Sequence, residues 1–241
     1  MPPDARPDEF GPVMPSGRRL PGVRGVRIMA VTAAACLLGF GLLTVLVATG
    51  WPPVLASDLS IDTAIHAMAT SSPALVGLAI VLSYTGGPAL VTAISTIAVV
   101  VLAVRGRLGF AVYLATTALG GVVLSEVTKG AVERARPVWP DPLWGAEGAS
   151  YPSGHSMAGI TNWVVYGVIA LMLLPGVRGR VAAAGLVTWG LLMAPSRLVL
   201  GVHWPADVVA GWLLGAAWVL TVSVVAVMLV TRQEGSRAAP V

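Results

Sequence analysis

An all-helical, polytopic membrane protein is the fold class this chain predicts, and three observations predict it. Hydrophobic residues make up 56% of the 241 and charged residues only 11%, against about 25% charged in an ordinary soluble domain. The apolar residues gather into runs long enough for a bilayer, which takes about 20 residues per helical crossing. The charges sit in short clusters between those runs. The net charge of +4 therefore reads as membrane sidedness and argues against nucleic acid as a partner, since cytoplasmic loops collect Arg and Lys. Cys36 is the single cysteine, so no intramolecular disulfide can form and no thiol chemistry is suggested.

Residues 1–27 are rich in Pro, Gly and Arg, with Arg6, Arg18, Arg19, Arg24 and Arg27, and predict a disordered basic cytoplasmic tail. The membrane domain is expected over 28–231, with 232–241 as a second cytoplasmic tail. Ile28 to Gly50 is an uninterrupted apolar run. It exceeds the core of a signal peptide, about 7–15 residues, and so reads as a retained anchor. Asp58, Asp62 and His66 recur every four residues among Ile61, Ala64, Ile65 and Met68. That pattern predicts an amphipathic helix on the outer membrane surface. Pro73 to Ser83 is apolar but too short to cross, and Gly86-Gly87-Pro88 breaks it. Spans then follow at Ala89 to Val104, Gly109 to Thr128, Ser153 to Leu174, Val181 to Pro195 and Asp207 to Thr231, with a polar loop from Gly130 to Pro152. The total is six crossings plus the surface helix.

Six crossings place the five tail arginines, Arg105, Arg107, Arg178, Arg180, Arg232 and Arg237 on the cytoplasmic side. The other four of the 15 Lys and Arg residues are Lys129, Arg134, Arg136 and Arg197, and all fall outside. Cations are disfavoured on the translocated side, so their neighbours are informative. Lys129 and Arg136 are seven apart; if the helix continues they share a face, about 10 Å along the axis. Tyr151-Pro152-Ser153-Gly154-His155-Ser156 opens a long apolar helix, with Ser153 at the cap position. A helix start offers unpaired N–H groups and a positive dipole end, which suit phosphate. Ser196-Arg197 precedes His203 and Asp207. Pro205 suits the first position of the last helix, and a carboxylate four residues after a histidine can hold one ring nitrogen and leave the other free to attack. Parity brings all three stretches to one membrane surface. Cations, N–H donors, a nucleophile and an acid are the inventory that phosphoryl transfer needs.

These stretches read Lys, six residues, Arg-Pro; Pro-Ser-Gly-His; and Ser-Arg, five residues, His, three residues, Asp. All three, in this order and at full spacing, resemble the signature motifs of the type 2 phosphatidic acid phosphatase superfamily, which is related to the vanadium haloperoxidase fold. The resemblance implies a metal-independent phosphatase with no cofactor, acting on a lipid phosphate or diphosphate: a polyprenyl diphosphate, phosphatidylglycerol phosphate or phosphatidic acid. It implies His203 as the nucleophile that forms a phosphohistidine, Asp207 as its orienting group, and His155 as the acid that protonates the leaving oxygen and then activates water. Lys129, Arg136, Arg197, Ser153 and Gly154 would bind the phosphate. The expected location is the inner (plasma) membrane with the site on the extracytoplasmic face.

Rival readings are a metal hydrolase using His155, His203 and Asp207 as ligands, a haloperoxidase, and a non-catalytic protein that binds or transports a lipid phosphate. Three clustered cations argue against a dication, the apolar chain against the soluble haloperoxidases, and the His203–Asp207 pair against binding alone. Glu133 and Arg134 read as a solvated local pair, Glu126 as a partner for Lys129, His66 as an interfacial residue, and Trp139 and Trp144 as interface anchors.

Overall fold

The computed structural model describes residues 10–238. Eight helices carry the fold: α1 (Val23–Ala48), α2 (Pro52–Thr70), α3 (Pro73–Gly86), α4 (Pro88–Val104), α5 (Leu108–Val132), α6 (Gly154–Leu173), α7 (Gly176–Val199) and α8 (Pro205–Ala238). Five of them, α1, α5, α6, α7 and α8, are long and apolar enough to cross a membrane on their own. The expected second crossing is α4, whose 17 residues reach about 26 Å, just short of a bilayer core of about 30 Å.

Between α1 and α4 neither helix is long and apolar enough to cross a membrane by itself. Helices α2 and α3 meet at a bend of 112°, and α2 lies over one end of the bundle. Its amphipathicity is inverted relative to a helix floating on water. Asp58, Asp62 and His66 are buried, while Leu55, Leu59, Ile61 and Met68 are exposed. Spacing four apart gave one polar face, as expected; that face turns inward because the apolar side has lipid, not water, to meet.

Two boundaries move. Residues 10–13 and 19–21, placed in a disordered tail by their composition, pair as a short antiparallel hairpin, and α1 begins at Val23, not Ile28. The turn is held by Gly17 at φ 79° and by Gly17 N–H donating to Met14 O at 2.8 Å. At the other end α8 runs on through most of the expected tail to Ala238. Residues 1–9 and 239–241 lie outside the described residues. Helix α7 also runs through Pro195 to Val199. A proline inside a membrane helix is tolerated because neighbours can meet the freed carbonyl.

All the motif stretches gather at the end of the bundle covered by α2. Val47 of α1, Tyr151 of the loop, and Ala206 and Ala210 of α8 form one buried cluster there. Below it the helices approach closely. Gly159 opens a π-type turn, Gly159–Val164, within α6, and a Cβ at Gly159 would lie 2.2 Å from the Gly190 carbonyl oxygen of α7. Backbones this near leave no room for a side chain, the usual way membrane helices gain dispersion contacts. Deeper in the bundle, Ser95 bonds both Asn162 Oδ1, at 2.8 Å, and the Tyr166 hydroxyl, at 2.6 Å. Replacing Gly159 by Ala will push α6 and α7 apart and cost about 1–3 kcal/mol, typical of overpacking; a lowered thermal midpoint of the detergent-solubilised protein measures it.

Candidate active site

Helix α5 stops at Val132 because Glu133 adopts a left-handed conformation, φ 48°. The stop decides how the first motif works. Lys129 stays on the last helical turn, but Arg136 is carried away on the following loop, so the two do not share a helix face as a continued α5 would have required. Lys129 Nζ donates to Glu126 Oε1 at 2.7 Å, the partner expected, and lies 3.7 Å from where a Cβ at Gly154 would stand. Arg136 is stapled in place. Nε donates to Gly148 O at 3.0 Å, Nη2 to Glu147 O and Ala149 O at 3.1 and 3.2 Å, and Nη1 to Val202 O at 2.7 Å. Burial pulls its pKa down from the ordinary value.

The second motif begins α6. Ser153 is its cap: the side-chain oxygen accepts from Ser156 N–H at 3.4 Å, while Ser153 N–H donates to the Asp207 carbonyl at 2.9 Å. His155 Nε2 lies 3.1 Å from the Ser83 carbonyl. A carbonyl only accepts, so Nε2 carries hydrogen and Nδ1 is the free ring nitrogen. Gly86 lets α3 come this near, since a Cβ there would stand 2.7 Å from His155 Cδ2.

Arg197 ends α7, buried, with Nη1 donating to the Ser83 hydroxyl. Ser83 thus holds two expected site residues, one through its carbonyl and one through its side chain. His203 sits in the short loop between α7 and α8. Its Nδ1 lies 3.3 Å from Asp207 Oδ2 and its Nε2 lies 3.1 Å from Arg136 Nη1. An arginine only donates, so Nε2 presents its lone pair and the proton resides on Nδ1. Burial outweighs the pull of Asp207 and lowers the His203 pKa to about 4. The imidazole is therefore neutral at physiological pH.

Asp207 is fully buried and its oxygens are divided between two tasks. Oδ2 accepts from Trp204 N–H at 2.9 Å and from His203, and Oδ1 accepts from Arg134 Nη1 at 2.6 Å. Arg134 Nη2 reaches Asp58 Oδ2, also at 2.6 Å, and its side chain is only 10% exposed. The solvated Glu133–Arg134 pair expected from the sequence is thus corrected: the left-handed Glu133 turns the next residue inward. His66 also differs from the interfacial residue expected. His66 is buried, stacked on Trp139 with ring centroids 4.0 Å apart, and Nε2 lies 3.0 Å from Asp141 Oδ1. Trp139 donates to Gly201 O at 3.1 Å, and Trp144 packs edge-on against Tyr84.

An open bowl of about 550 Å³ adjoins this cluster, lined among others by Glu126, Lys129, Glu133, Arg134 and Glu147. Among the described residues Lys129, Arg136, Ser153, Gly154, His155, Arg197, His203 and Asp207 stand at one end of the bundle, linked by the contacts above. The PAP2 superfamily model matches residues 109–230, a segment that holds every one of them.

The chain belongs to the PAP2 superfamily.

Relatives include an undecaprenyl-diphosphatase of Sulfolobus acidocaldarius, 36% identical over 112 residues, which cover 43% of this chain and 48% of the relative. A phosphatidylglycerophosphatase B of Escherichia coli K12 is 35% identical over 91 residues, 37% of this chain and 34% of that protein. The matches thus span about half the length, or less, of these curated relatives. In three dimensions the chain resembles a transmembrane PAP2-type phosphatidylglycerolphosphate phosphatase from Bacillus subtilis, with a TM-score of 0.68 over 86% of this chain and 98% of that one, at 22% identity. At that identity the likeness shows the shared fold. Asp58 and Ser83 precede the PAP2 segment, and no motif marks them.

Because His203 titrates near 4 here and the free imidazole near 6.5, the unfolded chain binds a proton in that window that the folded site refuses. Its contribution to stability is full above pH 6.5 and falls as the pH drops toward about 4. A nitrogen-15 NMR titration of the histidines will show the His203 midpoint close to that lower value.

Proposed function

We propose that the protein is a membrane lipid phosphatase that works through a phosphohistidine at His203. The observation that carries this reading is the orientation of one imidazole: Asp207 holds Nδ1, and Nε2 points its lone pair at the guanidinium of Arg136. A phosphoryl oxygen that takes the Arg136 Nη1 donor brings phosphorus to Nε2. Attack forms the N–P bond and breaks the ester P–O bond; His155, with Nε2–H held by the Ser83 carbonyl, takes up a second proton on Nδ1 as the phosphate dianion binds, gives it to the departing oxygen and is left neutral. Water, deprotonated by the same nitrogen, then attacks phosphorus, releases inorganic phosphate and returns the pair of electrons to Nε2. Arg136, Arg197, Lys129 and the N–H groups at the start of α6 surround the equatorial oxygens, where charge must be met without reorganisation. These cations supply the charge that a dication provides in other phosphatases, and we read the reaction as metal-independent.

The names of the relatives point to lipid monophosphates and diphosphates as the substrate classes, with phosphatidylglycerol phosphate and a polyprenyl diphosphate foremost. An apolar groove of about 400 Å³ between α1, α5 and α8, lined by Leu37, Leu124, Leu214 and Trp218, suits an acyl or prenyl tail. Arg105, Arg107, Arg178 and Arg180 flank helix ends away from the site, which supports a site on the extracytoplasmic face of the plasma membrane.

Purified protein in detergent will release phosphate from one or more of these lipids, and will do so in excess chelator. His203→Ala will lower kcat by roughly a thousandfold or more while a lipid phosphate still binds; persistent turnover in that variant rejects the nucleophile, and binding without turnover in the wild type favours a lipid-phosphate carrier. The acid limb of kcat/KM for the free protein will fall near the His203 midpoint of about 4, below that of an ordinary histidine, because the neutral form survives to lower pH.

A further inference from the structure

Arg134 stands at none of the motif positions, yet it makes the two shortest ion pairs at the site, 2.6 Å to Asp207 and 2.6 Å to Asp58. Asp58 is anchored in turn: its Oδ1 accepts Ala206 N–H, at 2.8 Å, at the start of α8. One planar guanidinium therefore joins the roof helix α2, the loop after α5 and the first turn of α8. Its plane is backed by the Trp204 ring, with Cζ 5.5 Å from the ring centroid. We propose that Arg134 and Asp58 are positioning residues that clamp Asp207, so that its Oδ2 holds His203 in the tautomer with Nδ1 protonated and Nε2 free. The proposal rests on the phosphatase reading, and it extends the reaction's apparatus to α2, outside the segment that matches PAP2.

Asp207 is wholly buried, and three donors share its two oxygens. Remove Arg134 and Oδ1 has no donor left among these contacts, in a place where an unmet carboxylate oxygen is costly. The carboxylate can then rotate toward another donor, and the imidazole loses the acceptor that fixes its proton. A lysine cannot stand in, because its point charge does not present two N–H groups to two carboxylates in one plane. Charge matters as well. Asp58 and Asp207 are both buried around this one cation, and Asp62, one turn along α2 and itself buried without a partner, adds a third carboxyl. Burial, and then Asp58 and Asp207, push the Asp62 pKa up to about 7. Tyr151, Arg136 and His203 face Asp207, and Arg136 and Arg197 act in turn on His203. Without Arg134 the cluster holds excess negative charge and takes up a proton at higher pH.

The test uses the full chain in detergent, with short-chain phosphatidic acid as substrate and nitrogen-15 spectra of the histidines, on Arg134→Gln, Arg134→Lys, Asp58→Asn and the Arg134→Gln/Asp58→Asn pair. Arg134→Gln should lower kcat by about a hundredfold, the scale of a misplaced reacting group, with KM little changed and the acid limb moved to higher pH. The wild-type His203 spectrum should show hydrogen on Nδ1 alone, and Arg134→Gln a mixture of tautomers. Adding Asp58→Asn should return part of the rate and move the limb back, because it removes the uncompensated anion. Arg134→Lys, which keeps the charge, should melt close to wild type yet remain slow; it decides the case if Arg134→Gln does not fold. A rate within about twofold of wild type, or a loss that is uniform with pH and leaves the His203 nitrogen spectrum unchanged, overturns the proposal and makes Arg134 a structural tie. If the wild type releases no phosphate from any lipid, the phosphatase reading fails, and the nitrogen spectra still decide the positioning.

Discussion

Arg134 is where the helices of this protein are made to agree. Its guanidinium reaches Asp58 on α2 and Asp207 on α8 from a loop whose direction is set by the left-handed Glu133. A buried ion pair of this kind is weak evidence for stability in itself, since desolvation offsets much of the attraction. Its value is geometric. Each carboxylate has a second fixed donor, Ala206 N–H for Asp58 and Trp204 N–H for Asp207, and both donors belong to the turn that starts α8. The arginine can satisfy both acids only if the roof helix, the loop and α8 stand in one arrangement. Dispersion among apolar helices would tolerate many arrangements; this set of donors and acceptors tolerates few.

The surroundings explain why such a junction forms beneath α2 and not beside water. A helix laid against lipid gains nothing by exposing Asp58, Asp62 and His66. It turns them toward the bundle, where Arg134, Asp141 and the α8 backbone can meet them, and leaves Leu59 and Met68 outside. Among the described residues Asp62 is the member of the row that finds no hydrogen-bond partner, and its raised pKa is the physical answer to that: a carboxyl that keeps its proton avoids a buried charge.

Much of this was legible from residue order alone, and for definable reasons. Membrane crossings announce themselves because a bilayer demands long apolar runs, so α5 and α6 were recognisable within a few residues, and α8 at its start though not at its end. The motif stretches were legible because helix ends placed by parity must meet on one side. What escaped was whatever depends on a single dihedral or on a partner far along the chain. Nothing in Glu133 marks it as left-handed, so α5 could be imagined running on to Arg136. The period of four in α2 shows that a polar face exists but not which way it turns, because periodicity is blind to what lies outside the helix. Ser83 lies in an apolar stretch with no feature to mark it, although it meets both His155 and Arg197. The hairpin near the start is the opposite case: composition suggested disorder, and a few backbone bonds around Gly17 sufficed to order it.

Charge accounting then ties the junction to the site. Four cationic side chains stand together, but they are not equivalent. Arg134 is matched by two carboxylates and Lys129 by Glu126. The hydrogen bonds of Arg136 go to backbone carbonyls and a neutral imidazole, and that of Arg197 goes to a serine hydroxyl, with its buried Nε unmet. Two positive charges are thus held among neutral partners, beside a histidine that burial keeps uncharged. Such a pair is costly in an empty pocket and is relieved by a doubly charged anion. If Arg134 did not absorb the charge of Asp207 and Asp58, those carboxylates would be free to pair with Arg136 instead, and a phosphate bound as we propose would meet a neutralised site. The clamp on the acids and the readiness of the other two arginines are consequences of the same arrangement.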